Sequence, residues 1–367
     1  MKLSVIILNY NVRHFLELCI KSVQAAIKNL DAEIIVVDNN SKDHSCDMVL
    51  KLFPEILLIQ NKENLGFSKA NNLAVAQAKG EFICILNPDT VVAEDTFDAL
   101  LKFSQSKDKL GIVGCKLVNG SGLFLPESKR NIPYVSVSLS KILGRPKKYY
   151  ANHLEANAVG QVDILVGAFM FLKKTVFDEV QGFDEDYFMY GEDIDLSYKV
   201  LKAGYKNYYF GELTAIHFKG ESTLKDKHYA RRFYGAMQIF YEKHFKTNLF
   251  FDLVVWLGIK FFYFFRKIPK IHKKNISNYV LISDEINENL KNSLKKPLVL
   301  KDKLDINEDN IEVILDGNFL SYKKIIQLIE DNFIRNKKVT YKILPEKSKF
   351  ILGSDSGFVR GEILKFK

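Results

Sequence analysis

The chain has 367 residues, 47% hydrophobic and 26% charged. That is enough apolar content for one large domain with a smaller one beside it, and far from the make-up of a disordered chain. Lysine and arginine outnumber aspartate and glutamate by 53 to 44, a net charge of +9, which suits a nucleotide, a lipid surface or a nucleic acid without choosing among them.

The N-terminal MKLSVIILNYN carries one lysine and a short apolar run before a polar turn. It reads as a first strand from Leu3 to Leu8 and not as a signal peptide, so the protein is expected to start in the cytoplasm. Leu16, Ile20, Val23, Ile27 and Leu30 then recur every three or four residues, the spacing of a helix with one face on a sheet. Ile34 to Val37 is the next strand, ending at 38-DNNSKDHS-45, rich in turn and helix-cap residues. A short run from Ile56 to Ile59 leads into 61-NKENLGFSKANNLAVAQAKG-80, a loop, an alanine-rich helix and a stop glycine. Phe82 to Leu86, a buried strand, stops at Asn87-Pro88-Asp89. Strand and helix in alternation predict a mostly parallel α/β sheet, whose ligands bind beyond the carboxyl ends of the strands. Asn9-Tyr10-Asn11, Asp38-Asn39 and Asn87-Pro88-Asp89 all fall at such ends.

No GxGxxG follows the first strand and no GxxxxGK[ST] occurs, so phosphates are not held by a glycine cradle. The economical alternative is a divalent metal bridging diphosphate oxygens and a carboxylate, a place Asp89 suits. Cys19, Cys46, Cys84 and Cys115 are far apart with no CxxC pair, which favours buried free thiols in a reducing compartment over disulfides or zinc.

The series 4-SVIILNYN-11, 36-VVDNNSKD-43, 64-NLGFSKANN-72, 86-LNPDT-90 and 191-GEDIDLSYKVLKAG-204 resembles family 2 glycosyltransferases of the GT-A fold, in particular their rhamnosyltransferase-like branch, over roughly residues 1 to 225. The resemblance implies an inverting transfer from a nucleoside diphosphate sugar, dTDP-rhamnose or a UDP-hexose, to a saccharide or lipid-linked acceptor in cell-surface polysaccharide synthesis. It implies that Tyr10, Asp38 and Asn39 hold the nucleobase, and that Asn64, Gly66 and Asn71 continue the donor pocket. The family's DXD motif maps onto Asn87 to Asp89, with an amide at its first acidic position and so one charge fewer for Mg²⁺ or Mn²⁺. Asp89 and His217 are the implied metal ligands, Asp193 the implied base, and Glu192 its orienter or a ligand for acceptor hydroxyls. No nucleic acid is implied. The alternatives are a nucleotide-sugar-binding scaffold without turnover, which Asn87 keeps open, and a sugar nucleotidyltransferase, whose GxGxR at the first strand is absent.

The insert from Cys115 to Gly160 fits neither strand nor helix. It carries Lys129, Arg130, Arg145, Lys147 and Lys148 among tyrosines, either an acceptor-side lid or, the better reading, a solvated mobile loop. Beyond the catalytic part, 249-LFFDLVVWLGIKFFYFFRK-267 is almost continuously apolar, with Asp252 and Lys260 eight apart on one side of a helix. Interfacial binding ranks above core packing, and both above a true span. Arg266, Lys267, Lys270, Lys273 and Lys274 would favour anionic headgroups, placing the enzyme in peripheral contact with the inner face of a membrane. The expected organisation is therefore a GT-A domain over 1–225, a helical, membrane-interfacial segment over 226–276, and a small C-terminal α/β unit over 277–367. In that unit Ile311 to Leu315, Val339 to Leu344 and the start of 350-FILGSDSGF-358 are strands, and Leu320 to Ile334 an amphipathic helix.

Overall fold

Period-two and period-3.6 apolar patterns alternate through the first hundred residues, and each becomes the element it encodes. The computed structural model describes residues 1–142, 145–220, 227–245, 276–304, 310–333, 339–356 and 360–367. In chain order the first part holds β1 (Leu3–Asn9), α1 (Arg13–Ile27), β2 (Ala32–Asp38), α2 (Ser45–Leu52), β3 (Leu57–Gln60), α3 (Gly66–Val75), β4 (Phe82–Leu86) and β5 (Thr90–Val91). It continues with α4 (Thr96–Gln105), β6 (Leu110–Val118), α5 (Val135–Ile142), β7 (Val159–Gln161), β8 (Phe169–Lys173), α6 (Lys174–Glu179), α7 (Glu192–Lys202), β9 (Lys206–His217) and α8 (Lys227–His244).

These strands form a nine-stranded sheet in the order β3-β2-β1-β4-β8-β6-β9-β5, with β7 also on β9. The β3-β2-β1-β4 half is parallel; β8 enters antiparallel to β4, and the second half is mixed. Both faces are covered, so the central strands are apolar on both sides. Val5 and Ile7 of β1 pack with Leu16, Cys19, Ile20 and Val23 of α1, whereas Ile6, between them, packs with Ala70 and Ala74 of α3. The cysteines are free, three of them buried, and burial pushes the Cys19 thiol up to about 12.

Residues 115–118 correct the start of the expected irregular insert: they complete β6, a continuous strand from Leu110 to Val118 with all nine residues buried. The mobile-loop reading of the following segment also fails at its centre. Lys129 is buried and its Nζ donates to the carbonyls of Ala151 and Leu154, and Arg130 pairs by backbone with Ile164.

The second part is a six-stranded sheet of β10 (Asn278–Ile282), β11 (Leu298–Lys301), β12 (Ile311–Asp316), β13 (Thr340–Leu344), β14 (Phe350–Gly353) and β15 (Glu362–Lys365), in the order β11-β10-β12-β13-β14-β15. It is parallel through β13 and antiparallel after it, with a helix over Tyr322–Phe333. This unit is packed onto the first. Phe15, Val91, Ile216 and Phe218 share one buried cluster with Val313, Ile325, Ile329 and Leu352. Polar links reinforce the seam. Glu94 accepts from the backbone N–H of Tyr322 and Lys323, Lys116 is ion-paired with Glu330, and Lys21 donates to the Glu346 carbonyl and Ser348 Oγ.

Among the described residues no helix is long and apolar enough to cross a membrane. The apolar 249–267 stretch and the basic cluster to Lys274 lie outside the described residues, as do Gly357 and Phe358 of the GSDSGF loop and Ile334 at the end of the expected helix.

Candidate active site

Strand β4 is buried throughout, and its end is held by bonds that fix a turn. Asn87 N donates to Ala168 O, and Thr90 Oγ1 donates to Asn87 O at 2.8 Å. The chain reverses at Pro88 and Asp89 and enters β5, where Thr90 pairs with His217 of β9. That pairing puts Asp89 beside a histidine 128 residues away in sequence. Asp89 Oδ1 lies 3.4 Å from His217 Nε2, and Asn87 Nδ2 lies 3.3 Å from the same nitrogen. Asp89 is 2% exposed, and its Oδ1 has no hydrogen-bond partner among the described residues. A buried carboxylate oxygen without a donor, an imidazole and an amide that presents its carbonyl when turned over make an oxygen and nitrogen set that fits Mg²⁺ or Mn²⁺.

An open cavity of about 350 Å³ lies at these strand ends, within the range of small-molecule sites. Its lining includes Tyr10, Asn39, Asn64, Gly66, Asn87, His217, Glu192 and Asp193. Eight of the eleven residues singled out in the sequence thus share one cavity. The other three stand behind it. Asp38 is buried, accepting from Asn9 Nδ2 at 2.7 Å and Ser41 N at 2.8 Å, and so shapes the loop after β2. Asn71 sits in α3 and donates to the Phe67 carbonyl one turn back, and Asp89 reaches the cavity only through His217. Asn39, in contrast, links the loops: its Nδ2 donates to Asn64 Oδ1 and to the Gly66 carbonyl.

Gly66 has φ +80, and a Cβ there would run into the Phe188 carbonyl oxygen, which accepts from Phe67 N at 2.7 Å. Only glycine permits this approach of loop 64–67 to the loop before α7. That second loop ends in two left-handed residues, Tyr190 (φ 71) and Gly191 (φ 82). They turn the chain so that Glu192 and Asp193, in the first turn of α7, border the cavity, where the helix dipole favours negative charge.

The two carboxylates differ in their surroundings. Asp193 Oδ2 accepts from Arg130 Nη2 at 2.6 Å and Gly167 N at 3.0 Å, and its Oδ1 from Ile194 N at 2.8 Å. Glu192 is 6% exposed, and its Oε2 has no partner among the described residues. Burial, then the neighbouring Asp193 charge, push its carboxyl up to about 8, against the pull of its backbone hydrogen bond and Arg130. The third acid of the motif, Asp195, faces elsewhere and ties α7 to α8 through His244 Nε2 at 2.6 Å, with Lys199 at 3.4 Å.

Sequence reasoning missed several residues on the cavity: Glu127, Arg130, Tyr149, Tyr150, Met189 and Lys219. Arg130 and the two tyrosines lie in the insert whose charged residues read as a solvated loop. Lys219 is ion-paired with Glu127; burial raises the Glu127 carboxyl, but the Lys219 charge and hydrogen bond outweigh it and hold it low. Nothing local in the sequence marks a pair 92 residues apart.

Residues 4–181 match the family model described as Glycosyl transferase family 2. Among curated relatives, the N-acetylglucosaminyl-diphospho-decaprenol L-rhamnosyltransferase of Mycobacterium tuberculosis is 27% identical over 242 residues, covering 61% of this chain and 78% of that protein. Rhamnosyltransferase WbbL of Escherichia coli K12 is 33% identical over 162 residues, covering 42% and 61%. Among solved structures, the mannosyltransferase PcManGT from Pyrobaculum calidifontis, in complex with GDP-Man and Mn²⁺, superposes with a TM-score of 0.46 at 19% identity, covering 72% of this chain and 70% of that one. The α/β sheet with its strand-end cavity and the family match agree over the same stretch: residues 4–181 form a glycosyltransferase domain of the family 2 type, similar to the rhamnosyltransferases among its relatives.

Proposed function

We propose that the protein moves a sugar, with inversion, from a nucleoside diphosphate sugar to a hydroxyl of a saccharide or lipid-linked acceptor in cell-surface polysaccharide synthesis. The observation that carries this reading is that one cavity is bordered both by the carboxylates Glu192 and Asp193 and by Asn87 and His217 with Asp89 behind it. A displacement at an anomeric carbon needs both: a proton acceptor on the attacking hydroxyl, and stabilisation of the charge that leaves with the diphosphate. The similarity to two rhamnosyltransferases supports dTDP-rhamnose as the donor, with a UDP-hexose as the alternative.

In the step itself the acceptor oxygen bonds to the anomeric carbon while its proton passes to Asp193. The bond from that carbon to the diphosphate oxygen breaks with its electron pair on the diphosphate. A carboxylate is a far weaker base than an alkoxide, so it does not deprotonate an alcohol in advance and proton transfer runs together with bond breaking. Tyr10, Asn39, Asn64 and Gly66 hold the nucleoside end, and Asn71 and Asp38 brace that wall from behind. Asp89, His217 and the Asn87 amide would hold Mg²⁺ or Mn²⁺, which when bound supplies positive charge for the departing diphosphate. The apolar 249–267 stretch and its basic sequel would keep the enzyme in peripheral contact with an anionic membrane face, where a lipid-linked acceptor resides.

The test is a melting-temperature panel with UDP, dTDP, GDP and CMP, each with Mn²⁺ and with chelator, followed by turnover of the Asp193→Asn variant. A nucleotide at 100 times its dissociation constant should add about 2.7 kcal/mol of stability. We expect UDP or dTDP to shift the parent with metal present, and Asp193→Asn to keep that shift while losing turnover. No shift with any nucleotide, or undiminished turnover in Asp193→Asn, refutes the reading.

A further inference from the structure

Arg130 is a buried cation on the wall of the sugar-transfer cavity, held by its backbone and through its Nη2. Its backbone N–H donates to the Ile164 carbonyl at 2.9 Å, and Ile164 N returns the bond at 3.0 Å. Its Nη2 donates to the Leu165 carbonyl at 2.7 Å and to Asp193 Oδ2 at 2.6 Å. Tyr149 lines the same cavity, and the Arg130 side chain is 8% exposed. The segment that bridges to Arg130 at Ile164 runs on into Gly167, whose N–H donates to the same oxygen of Asp193.

One carboxylate oxygen is therefore pinned by two donors from segments remote from α7. Without them Asp193 would keep only the bond from Ile194 N to its Oδ1, at a helix terminus with the second acid, Glu192, beside it. A proton acceptor works only when aimed at the hydroxyl it serves, and misplacement by about 1 Å can cost about 100-fold in rate. A planar guanidinium fixed by its own backbone is suited to such aiming in a way a flexible ammonium is not.

We propose that Arg130 is a positioning residue for sugar transfer, anchoring one oxygen of Asp193 so that the rest of the carboxylate addresses the acceptor hydroxyl, and offsetting the Asp193 charge in a buried wall. The inference rests on Asp193 being the proton acceptor, and its test separates the two. Arg130→Ala, Arg130→Lys and Asp193→Asn are assayed with the donor whose nucleotide shifts the melting temperature, and nucleotide binding is checked in each by that shift.

For Arg130→Ala the expected result is a fall of about 100-fold in kcat with donor KM within about threefold, since the lost contact orients the base and does not touch the donor. Guanidinium ion in the assay should return about tenfold of the loss, by refilling the space beside Asp193, and sodium chloride at equal ionic strength should return none. Arg130→Lys should fall between Ala and the parent. A parent-like kcat in Arg130→Ala overturns the proposal, as does a loss that guanidinium does not relieve in a variant that still binds nucleotide. A residue that merely holds its loop would lose activity without that rescue. If Arg130→Ala does not fold, Arg130→Lys decides: a lower kcat at unchanged donor KM supports the role, and a parent-like kcat, or a loss that includes donor KM, overturns it. Full turnover in Asp193→Asn, in contrast, removes the base assignment itself.

Discussion

Replacing Glu192 by glutamine isolates the cost of a carboxyl group kept in this wall. The group is buried beside Asp193, and its proton is held up to about 8 against an ordinary 4.5. At about 1.4 kcal/mol per unit, that difference is on the order of 5 kcal/mol between the two protonation states. The sign follows from proton binding. Between about 4.5 and 8 the folded protein keeps the proton while the unfolded chain has lost it, so stability is fully present below 4.5, falls as pH rises, and levels off above about 8. Glutamine copies the neutral acid in shape and does not titrate. At pH 5 the variant and the parent should differ by less than about 1 kcal/mol; at pH 8.5 the variant should be more stable by about 4 kcal/mol. For a chain of this size that is about 5 °C in melting temperature. The assay is thermal or denaturant unfolding of both proteins in steps from pH 5 to 9. A difference that stays constant across the range would refute the reasoning, because it would mean that Glu192 titrates alike in the folded and unfolded chain. The same neutrality bears on the proposed transfer, in which a protonated Glu192 would donate to acceptor oxygens while Asp193 accepts.

Three other outcomes are expected. Gly66→Ala places a Cβ against the Phe188 carbonyl at a left-handed φ of +80, so denaturation should show a loss of about 1–2 kcal/mol or more, together with a smaller nucleotide-induced shift. Asn87→Asp adds a second carboxylate next to Asp89 and His217, and should lower the Mn²⁺ concentration at which the nucleotide shift is half complete, by about tenfold; an unchanged requirement would place the metal elsewhere. Glu94→Ala removes the acceptor for the N–H groups of Tyr322 and Lys323, an N-terminal cap worth about 1 kcal/mol, which unfolding of the full chain would register.

The parallel half of the sheet was legible because each of its strands is a local event. Phe82–Leu86 matched its strand to the residue, and β1 and β2 extended by one or two positions at their ends. The polar tips at Tyr10, Asn39 and Asn87 followed from topology alone, since parallel strands bring their carboxyl ends to one edge. What sequence did not display was contact between distant segments. Arg130 and Asp193 are 63 residues apart, and the loop carrying Arg130 has no period because it is pinned by Ile164 and by backbone carbonyls rather than by a repeating apolar face. Its charged residues therefore read as solvated, although Lys129 and Arg130 are both buried. Asn71 was ambiguous for the opposite reason. An asparagine in a helix can satisfy itself on the carbonyl four residues back, as Asn71 does on Phe67, and spacing alone does not distinguish that from a ligand.

The seam between the two sheets gives the C-terminal unit a physical part in the site. Strand β5 has only two residues, too few to hold a turn by pairing alone, yet it carries the register that sets Asp89 against His217. Its Val91, with Ile216 of β9 and Phe218 beyond it, is buried in the cluster formed with β10, β12 and the helix over Tyr322–Phe333. The wall that presents Asp89, Asn87 and His217 is thus backed by side chains from residues 280 to 352. A short edge strand packed against a second core is held in place by burial of apolar area rather than by its few ladder bonds. The C-terminal unit therefore serves as scaffold for the side of the cavity that carries Asn87 and His217.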